Sequence, residues 1–322
     1  MASISLNIFR LSGSETVATV KQAEQYGIKA CWIPTQPFNF DAVPVMAVAG
    51  AQTTDMIVGT GITPTYPRHP VALATEAMAI TEMTGGRFRL GVGPSHAPII
   101  ETALGIPFGK PASHLREYVT ILRSYLQEGK AHFDGKYYNV HAELPVWAQP
   151  SKTPVYLSAN RPNAFKLAGE LADGVMSSWE PIAYLREVAL PTLKQAAESA
   201  GRPRPHMISH IPIITTEDPD RAFQIATDAW AQFYKPLHKP YSTTYGMVGL
   251  SLLEDGSMSP EVFKEVFVYG SEAQIRQRFY DMLSIDGIDE VMVTVHTADN
   301  PAEEEERVLK ILGSLEEEFS KR

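Results

Sequence analysis

Two spacings of apolar residues take turns along this chain. Residues 3–9 alternate apolar and polar one by one, as a half-buried strand does, and the next stretch follows helical spacing until Gly27. Ser12 and Glu15 have the separation of a capping box at that helix start. The same exchange then repeats. Residues 30–34 form a short apolar run, and 41–51 read as a helix with Asp41 at its N-cap. Residues 56–63 are β-like, and 70–84 form a helix that opens on Pro70 and stops at Gly85-Gly86. Residues 88–93 are the fourth strand. The helix over 113–127 places Leu115, Tyr118, Val119, Leu122 and Leu126 on one face. Residues 130–140 read as a hairpin turning at Asp134-Gly135. Strands over 154–159, 174–179, 206–215 and 290–295 then alternate with helices from Pro162, over 182–200, over 219–234, from Ser271 to about 284, and from Asn300-Pro301 onward. In the last helix Val308, Ile311, Leu312, Leu315 and Phe319 make the inner face, and the acidic run 303–306 reads as a solvated first turn favoured by the helix dipole.

Eight strands, each followed by a helix or by a helix and an insert, predict an α/β fold of the (β/α)8 TIM-barrel type. An open doubly wound sheet is the alternative, since alternation alone does not show closure. The length beyond a minimal barrel falls in 108–112, 130–153 and 235–269. The last of these is polar, aromatic and rich in Gly and Pro, so it reads as an insertion after the seventh strand within one domain spanning 1–322, not as a linker.

Composition narrows the function. With 28 Lys and Arg against 37 Asp and Glu, the net charge of −9 lacks the basic face that a general nucleic-acid binder presents to phosphates. One cysteine excludes an intrachain disulfide framework and a cysteine-based zinc cluster. The longest apolar stretch, 42–51, contains Pro44 and falls short of the roughly 20 residues a membrane span needs. The first residues lack a basic segment followed by an apolar one, so no signal peptide is expected, and the reading is a cytoplasmic protein. Familiar cofactor motifs are missing. Gly91-Val-Gly93-Pro-Ser-His96 has no third glycine, Gly109-Lys110 is followed by proline, and neither HExxH nor GxSxG occurs. His206 and His210 lie four apart in a strand-like run and read as packing or surface residues, so no metal site is expected.

Three segments carry a family likeness. They are Gly59-Thr-Gly-Ile-Thr-Pro-Thr-Tyr-Pro-Arg-His-Pro70, Gly85-Gly-Arg-Phe-Arg-Leu-Gly-Val-Gly-Pro-Ser-His96, and Pro154-Val-Tyr-Leu-Ser-Ala-Asn-Arg-Pro162 with the Leu-Ala-Gly-Glu-Leu-Ala-Asp-Gly-Val run that ends at Val175. Together they resemble the bacterial luciferase-like superfamily, and within it the branch that uses the deazaflavin coenzyme F-420, such as methylene-tetrahydromethanopterin reductase. The resemblance implies a cofactor at the C-terminal mouth of the barrel and a hydride-transferring oxidoreductase acting on a small organic substrate. A luciferase-like monooxygenase using flavin mononucleotide (FMN), and a non-catalytic barrel that has lost its cofactor, are the alternatives.

The resemblance also suggests roles. It implies a non-proline cis peptide under the cofactor ring at Gly61-Ile62, flanked by Thr35 and Thr63. Ser158, Ala159, Asn160, Arg161 and Pro162 lie between a strand and a helix start, where free N–H groups and a guanidinium can hold a phosphate; a plain turn with a surface arginine is the bland reading. Thr35-Gln36 stands where many relatives carry an acidic residue and a histidine, which leaves Gln36 as a hydrogen-bonding catalytic candidate. His96 follows the fourth strand and can exchange a proton near neutral pH or merely line the pocket. Tyr66, Arg68 and His69 can meet an anionic group or cap and pack the third helix. Trp179 can wall the pocket or sit in the core. A homodimer through the second and third helices is expected by analogy.

Overall fold

The computed structural model describes residues 3–9, 12–35, 39–235 and 238–321. Its central sheet closes on itself. The strands β1 (Ser3–Asn7), β2 (Ala30–Ile33), β3 (Ile57–Thr60), β4 (Phe88–Gly93), β5 (Val155–Ser158), β6 (Gly174–Ser178), β7 (His206–Ile214) and β8 (Glu290–His296) pair in parallel in chain order. β8 then returns to β1, with Ser5 opposite Met292. This is a TIM barrel, and closure removes the open-sheet alternative. The strands can be short and apolar because both faces are covered: all four residues of β2 are buried, as are eight of the nine in β7.

Local signals set the helix starts. Ser12 Oγ accepts the Glu15 amide at 3.2 Å, Asp41 accepts the Val43 amide at 2.8 Å, and Ser271 with Gln274 forms a reciprocal capping box. The helix Pro111–Glu128 buries the predicted face and ends on Gly129, whose φ of 73° suits glycine. The acidic start of the last helix, Pro301–Ser320, differs from expectation at one residue. Glu304 is not simply solvated. Its carboxylate accepts the amides of Ala298, Asp299 and Asn300 at 2.6–2.9 Å and the Thr215 hydroxyl. Burial would raise its pKa, but these donors outweigh it and bring it down to about 2. The loop after β8 is thereby tied to the end of β7.

The expected hairpin is a separate antiparallel ribbon, Lys130–Asp134 with Asn139–Glu143. The stretch 235–269 contains two helices, His238–Gly246 and Pro260–Val266, and a short strand, Val268–Tyr269, that pairs with the end of β7. With the helix Pro219–Phe233 it forms an aromatic core of its own, including Trp230, Tyr241, Tyr245, Phe263 and Phe267, and meets the barrel at Trp179 and Ile214.

Inside the barrel the alternation of each strand stacks side chains in layers. At the N-terminal floor Glu290 is 1% exposed; it accepts the Trp32 indole N–H at 2.7 Å and faces the Arg89 guanidinium at 3.2 Å. Above it Trp32, Tyr156, Met176, Ile208 and Met292 make an apolar plug. Gly59 makes room for the plug, since a Cβ there would lie 2.4 Å from the Trp32 ring. The plug closes the floor, so any ligand enters from the other end. No helix among the described residues is long and apolar enough to cross a membrane.

Candidate active site at the barrel mouth

Above the plug the strand ends form the mouth of the barrel, the end at which sites of this fold lie. On one side of the mouth β2, β3, β4 and β5 converge. The peptide bond between Gly61 and Ile62 is cis. Gly61 donates its N–H to the Ile33 carbonyl at 2.7 Å, and Thr35 donates to the Ile62 carbonyl at 3.0 Å, so β2 brackets this bond. The Ile62 side chain rests on the apolar plug. Gly93 leaves space beside it, because a Cβ there would sit 2.3 Å from Ser158 Oγ and 3.2 Å from Ile62 Cγ1. Thr63 Oγ1 is buried next to this spot and has no hydrogen-bond partner among the described residues.

The turn after β5 is held firmly. Ala159 donates to the Met176 carbonyl at 2.9 Å, and Asn160 accepts the Ser178 amide at 3.1 Å while its own carbonyl takes the Tyr184 hydroxyl at 2.7 Å. Arg161 then caps the helix Pro162–Leu171 with extended backbone, and its side chain is exposed and makes no capping bond. Pro162 has no N–H to offer and Ala164 and Phe165 both donate to the Arg161 carbonyl, so Asn163 is the open donor of this first turn among the described residues.

The opposite wall is aromatic. Trp179 is 2% exposed and adopts a φ of 61°, unusual for a residue with a side chain. Its amide donates to the His210 carbonyl at 3.1 Å and its carbonyl accepts the Tyr245 hydroxyl at 2.8 Å. The indole stacks on Tyr234 with centroids 3.9 Å apart and meets Phe267 edge-on at 4.9 Å. Its N–H is buried without a partner among the described residues, as is Nε2 of the neighbouring His296. Burial pushes His296 down to about 4. Next to Trp179, Glu180 is 3% exposed; Oε1 takes a long 3.4 Å bond from Thr244, and Oε2 has no partner among the described residues.

His96 is half-buried in the loop after β4, and its carbonyl accepts the amides of Ile99 and Ile100 at 3.0 Å each. Burial pushes its pKa down, so the ring is neutral at pH 7 and offers one N–H. Tyr66, Arg68 and His69 are committed to protein partners. Tyr66 stacks on the buried His114 at 3.9 Å and on Phe108 at 5.0 Å, and its hydroxyl donates to the Phe108 carbonyl. Arg68 pairs with Asp41 and, at 3.3 Å, with Glu76. His69 accepts the Val71 amide on Nδ1 at 3.3 Å, capping its own helix. Gln36 lies outside the described residues. Thr35, Gly61, Ile62, Thr63 and the 158–162 turn thus stand together, Trp179 follows β6 beside that turn and carries the insertion's aromatic core, and Tyr66, Arg68 and His69 form an outer cluster.

Sequence reasoning overlooked Asn7, Ser178, Thr294 and His296; it placed Glu180 only at the end of the sixth strand, and it took Tyr241, Tyr245 and Met247 of the insertion as residues that shape the pocket. It weighed His210 only as a metal ligand or a packing residue. One signal was available: residues four apart in a strand share a face, so His206 and His210 both point into the barrel. His206 meets the Tyr156 hydroxyl at 3.3 Å near the floor, and His210 lies higher. No group of three or more His, Cys, Asp or Glu among the described residues is arranged to hold a metal ion.

Taken together, an exposed guanidinium at a helix start beside a cis peptide and buried polar atoms without partners among the described residues suits a ligand that carries an anionic group. A family model described as luciferase-like monooxygenase matches residues 9–290. The chain is 31% identical over 200 residues to 5,10-methylenetetrahydromethanopterin reductase of Methanopyrus kandleri, a match covering 57% of this chain and 56% of that protein. This chain therefore spans little more than half the length of that relative. It is 27% identical over 271 residues to F-420-dependent glucose-6-phosphate dehydrogenase of Kineococcus radiotolerans, covering 79% of each. Among solved structures, coenzyme F-420-dependent tetrahydromethanopterin reductase from Methanopyrus kandleri shares the fold with a TM-score of 0.75 at 22% identity, over 97% of both chains.

Proposed function

This chain belongs to the luciferase-like monooxygenase family, and from that premise we propose that it is an oxidoreductase that passes a hydride between the deazaflavin coenzyme F-420 and a small organic substrate. The observation that carries this reading is its similarity to two kinds of F-420-dependent enzyme, one of them over 79% of its length. The mouth supports it. Thr35, Gly61, Ile62 and Thr63 offer a platform for a ring, with Thr63 Oγ1 as an unused hydrogen-bonding atom. Ser158 to Pro162, with Arg161 exposed at a helix start, suit the phosphate of the cofactor tail. Trp179 closes the far wall. When bound, the deazaflavin supplies the hydride chemistry. The chain orients the ring, keeps water off the aromatic wall and provides protons. Neutral His96 can donate its N–H to a substrate atom that becomes basic as hydride arrives. Tyr66, Arg68 and His69 serve as the outer wall of the pocket, because the charge on Arg68 is already matched by two carboxylates.

Fluorescence titration with F-420 and with FMN tests this. Quenching of F-420 on binding is expected, and tight FMN binding with none for F-420 would reject it. Arg161→Ala is expected to weaken F-420 at least tenfold, about 1.4 kcal/mol. A change below about twofold would remove Arg161 from the phosphate site.

The helix Ala42–Ala51 has no charged residue, and it leaves Val48 48% exposed, with Met83 54% exposed on the next helix. A cleft of about 550 Å³ lined by Val17, Pro44, Val45 and Val48 lies beside it. These support a homodimer through this face. Sedimentation is expected to give twice the 35.5 kDa chain mass, and Val48→Asp to give the monomer. A wild-type protein that sediments as a monomer would end the dimer proposal. A cytoplasmic setting fits the single cysteine, which is buried and free.

A further inference from the structure

Between the antiparallel ribbon and β5 the chain makes a turn with Val146 and Trp147 at its two corners, closed by the Ala148 amide donating to the Pro145 carbonyl at 2.8 Å. The turn is pinned at both ends. Leu144 donates to the Gly129 carbonyl and Ser151 to the Leu126 carbonyl, each at 2.7 Å, and Pro145 and Pro150 stiffen the stretch between them. Yet Val146 is 101% exposed and Trp147 is 81% exposed, while Trp32, Trp179 and Trp230 are at most 2% exposed. An indole held out in water forgoes the large burial gain that the other three obtain. A rigid apolar knob of this kind marks a contact surface.

The same segment is fastened to the helix Pro70–Met83, because the Thr81 and Thr153 hydroxyls share a hydrogen bond at 2.5 Å. That helix packs on the uncharged helix Ala42–Ala51. The cleft of about 550 Å³ lies on the other side of Ala42–Ala51, between it and the helix Gly13–Gln25. Knob and cleft therefore flank one pair of helices, and the exposed Val48 and Met83 lie on the two helices between them. A two-fold axis running along that pair exchanges its flanks, so the knob of each copy comes to the cleft of the other. The cleft suits an apolar guest. Val17, Pro44, Val45 and Val48 line it, Lys21 is the one charged residue in its lining among the described residues, and its volume is within the roughly 300–1,000 Å³ of pockets that bury a small ligand.

We propose that Trp147 of each copy seats in the cleft lined by Val17, Pro44, Val45 and Val48 of a second copy, and that this contact anchors the homodimer. The proposal rests on the dimer reading above and adds to it a contact that the two-helix face does not contain. Tryptophan in an apolar pocket is the kind of residue that carries most of the energy of an interface. The turn hydrogen bond and the two prolines hold it ready, so little ordering entropy is lost on docking. Because the exchange is reciprocal, two such contacts form in each dimer and the assembly closes at two copies.

Iodide quenching tests this directly, since the other three tryptophans are sealed in the fold and iodide reaches Trp147 alone. Its signal is isolated as the difference between wild type and Trp147→Phe. At concentrations where sedimentation gives the dimer, Trp147 is expected to emit to the blue of its monomer spectrum and to resist iodide. Dilution, or Val48→Asp, is expected to open it to the quencher. Trp147→Ala is expected to raise the dimer dissociation constant by about thirtyfold or more. The single cysteine, Cys31, is buried, so introduced thiols report alone. Val146→Cys protein mixed with Lys21→Cys protein is expected to give a disulfide-linked pair on mild oxidation, and neither protein by itself, nor the mixture made in the Val48→Asp background, is expected to do so. A dimer whose Trp147 stays open to iodide, or which gives no linked pair, overturns the seat and leaves the dimer reading standing. A wild-type monomer ends both.

Discussion

Glu290→Ala is expected to lower the stability of the protein by about 3–5 kcal/mol, the usual cost of removing one partner from a buried ion pair. The carboxylate is 1% exposed and serves the fully buried Trp32 indole and the Arg89 guanidinium, whose side chain is 22% exposed. It holds the Trp32 N–H at 2.7 Å and the Arg89 guanidinium at 3.2 Å, and the Arg89 carbon lies 5.8 Å from the Tyr156 ring centre. Without it, a cation and an indole N–H remain under the apolar plug. Glu290→Gln keeps the acceptor for Trp32 and loses only the charge-assisted part, so its cost is expected to be smaller. Denaturant midpoints of the two variants check this, and a loss below about 1 kcal/mol for alanine would mean that Arg89 swings out to water.

The second large effect depends on pH. Glu180 is buried among Tyr184, Tyr241 and Tyr245, and burial holds its carboxyl well above the ordinary carboxylate range, with the Thr244 hydroxyl offsetting this only in part. In the unfolded chain the same group ionises near pH 4.5. Above that pH the unfolded state has lost a proton that the folded state retains. The stabilisation is therefore complete below the unfolded pKa and is lost as pH rises toward the folded one. The slope reaches about 1.4 kcal/mol per pH unit. Glu180→Gln should remove this slope. Relative to wild type, the glutamine protein is expected to gain stability as pH rises above about 5, until Glu180 ionises in the fold. Parallel stability curves for the two proteins would show that Glu180 is ionised and hydrated in the fold.

The barrel was legible because its signal is local. Every strand and nearly every helix announces itself within about ten residues, through alternation, through Pro70, Pro162 and Pro219 at helix starts, and through Gly85 or Gly129 at helix ends. The 158–162 turn was legible for the same reason, as five consecutive residues. The run of contacts from Ser178 through His210 and Thr294 to Asn7 across the upper barrel was not. It takes one side chain from each of four strands, and Asn7 and Thr294 lie 287 positions apart. No spacing rule reaches that far, and only barrel closure brings them together. The stretch 235–269 was read as an insertion without elements assigned to it, because its core is built from aromatic residues without a helical period. Its helices are held by contact with Trp179 and Ile214 more than by their own sequence. Arg68 looked like an anion-binding residue because nothing in the sequence ties it to Asp41, 27 positions away.

The division into two cores has a consequence for how such a protein can change. The barrel core and the aromatic core of the insertion are separate clusters, and only Trp179 and Ile214 at two strand tips belong to the second. A lineage can therefore rewrite the residues between the seventh and eighth strands, and with them the shape of the space above Trp179, while the eight-stranded scaffold stays untouched. For an engineer, the same seam marks where a foreign segment can be grafted: one that presents an aromatic face to Trp179 and Ile214 and a short strand to the end of β7 meets the barrel mouth as this one does.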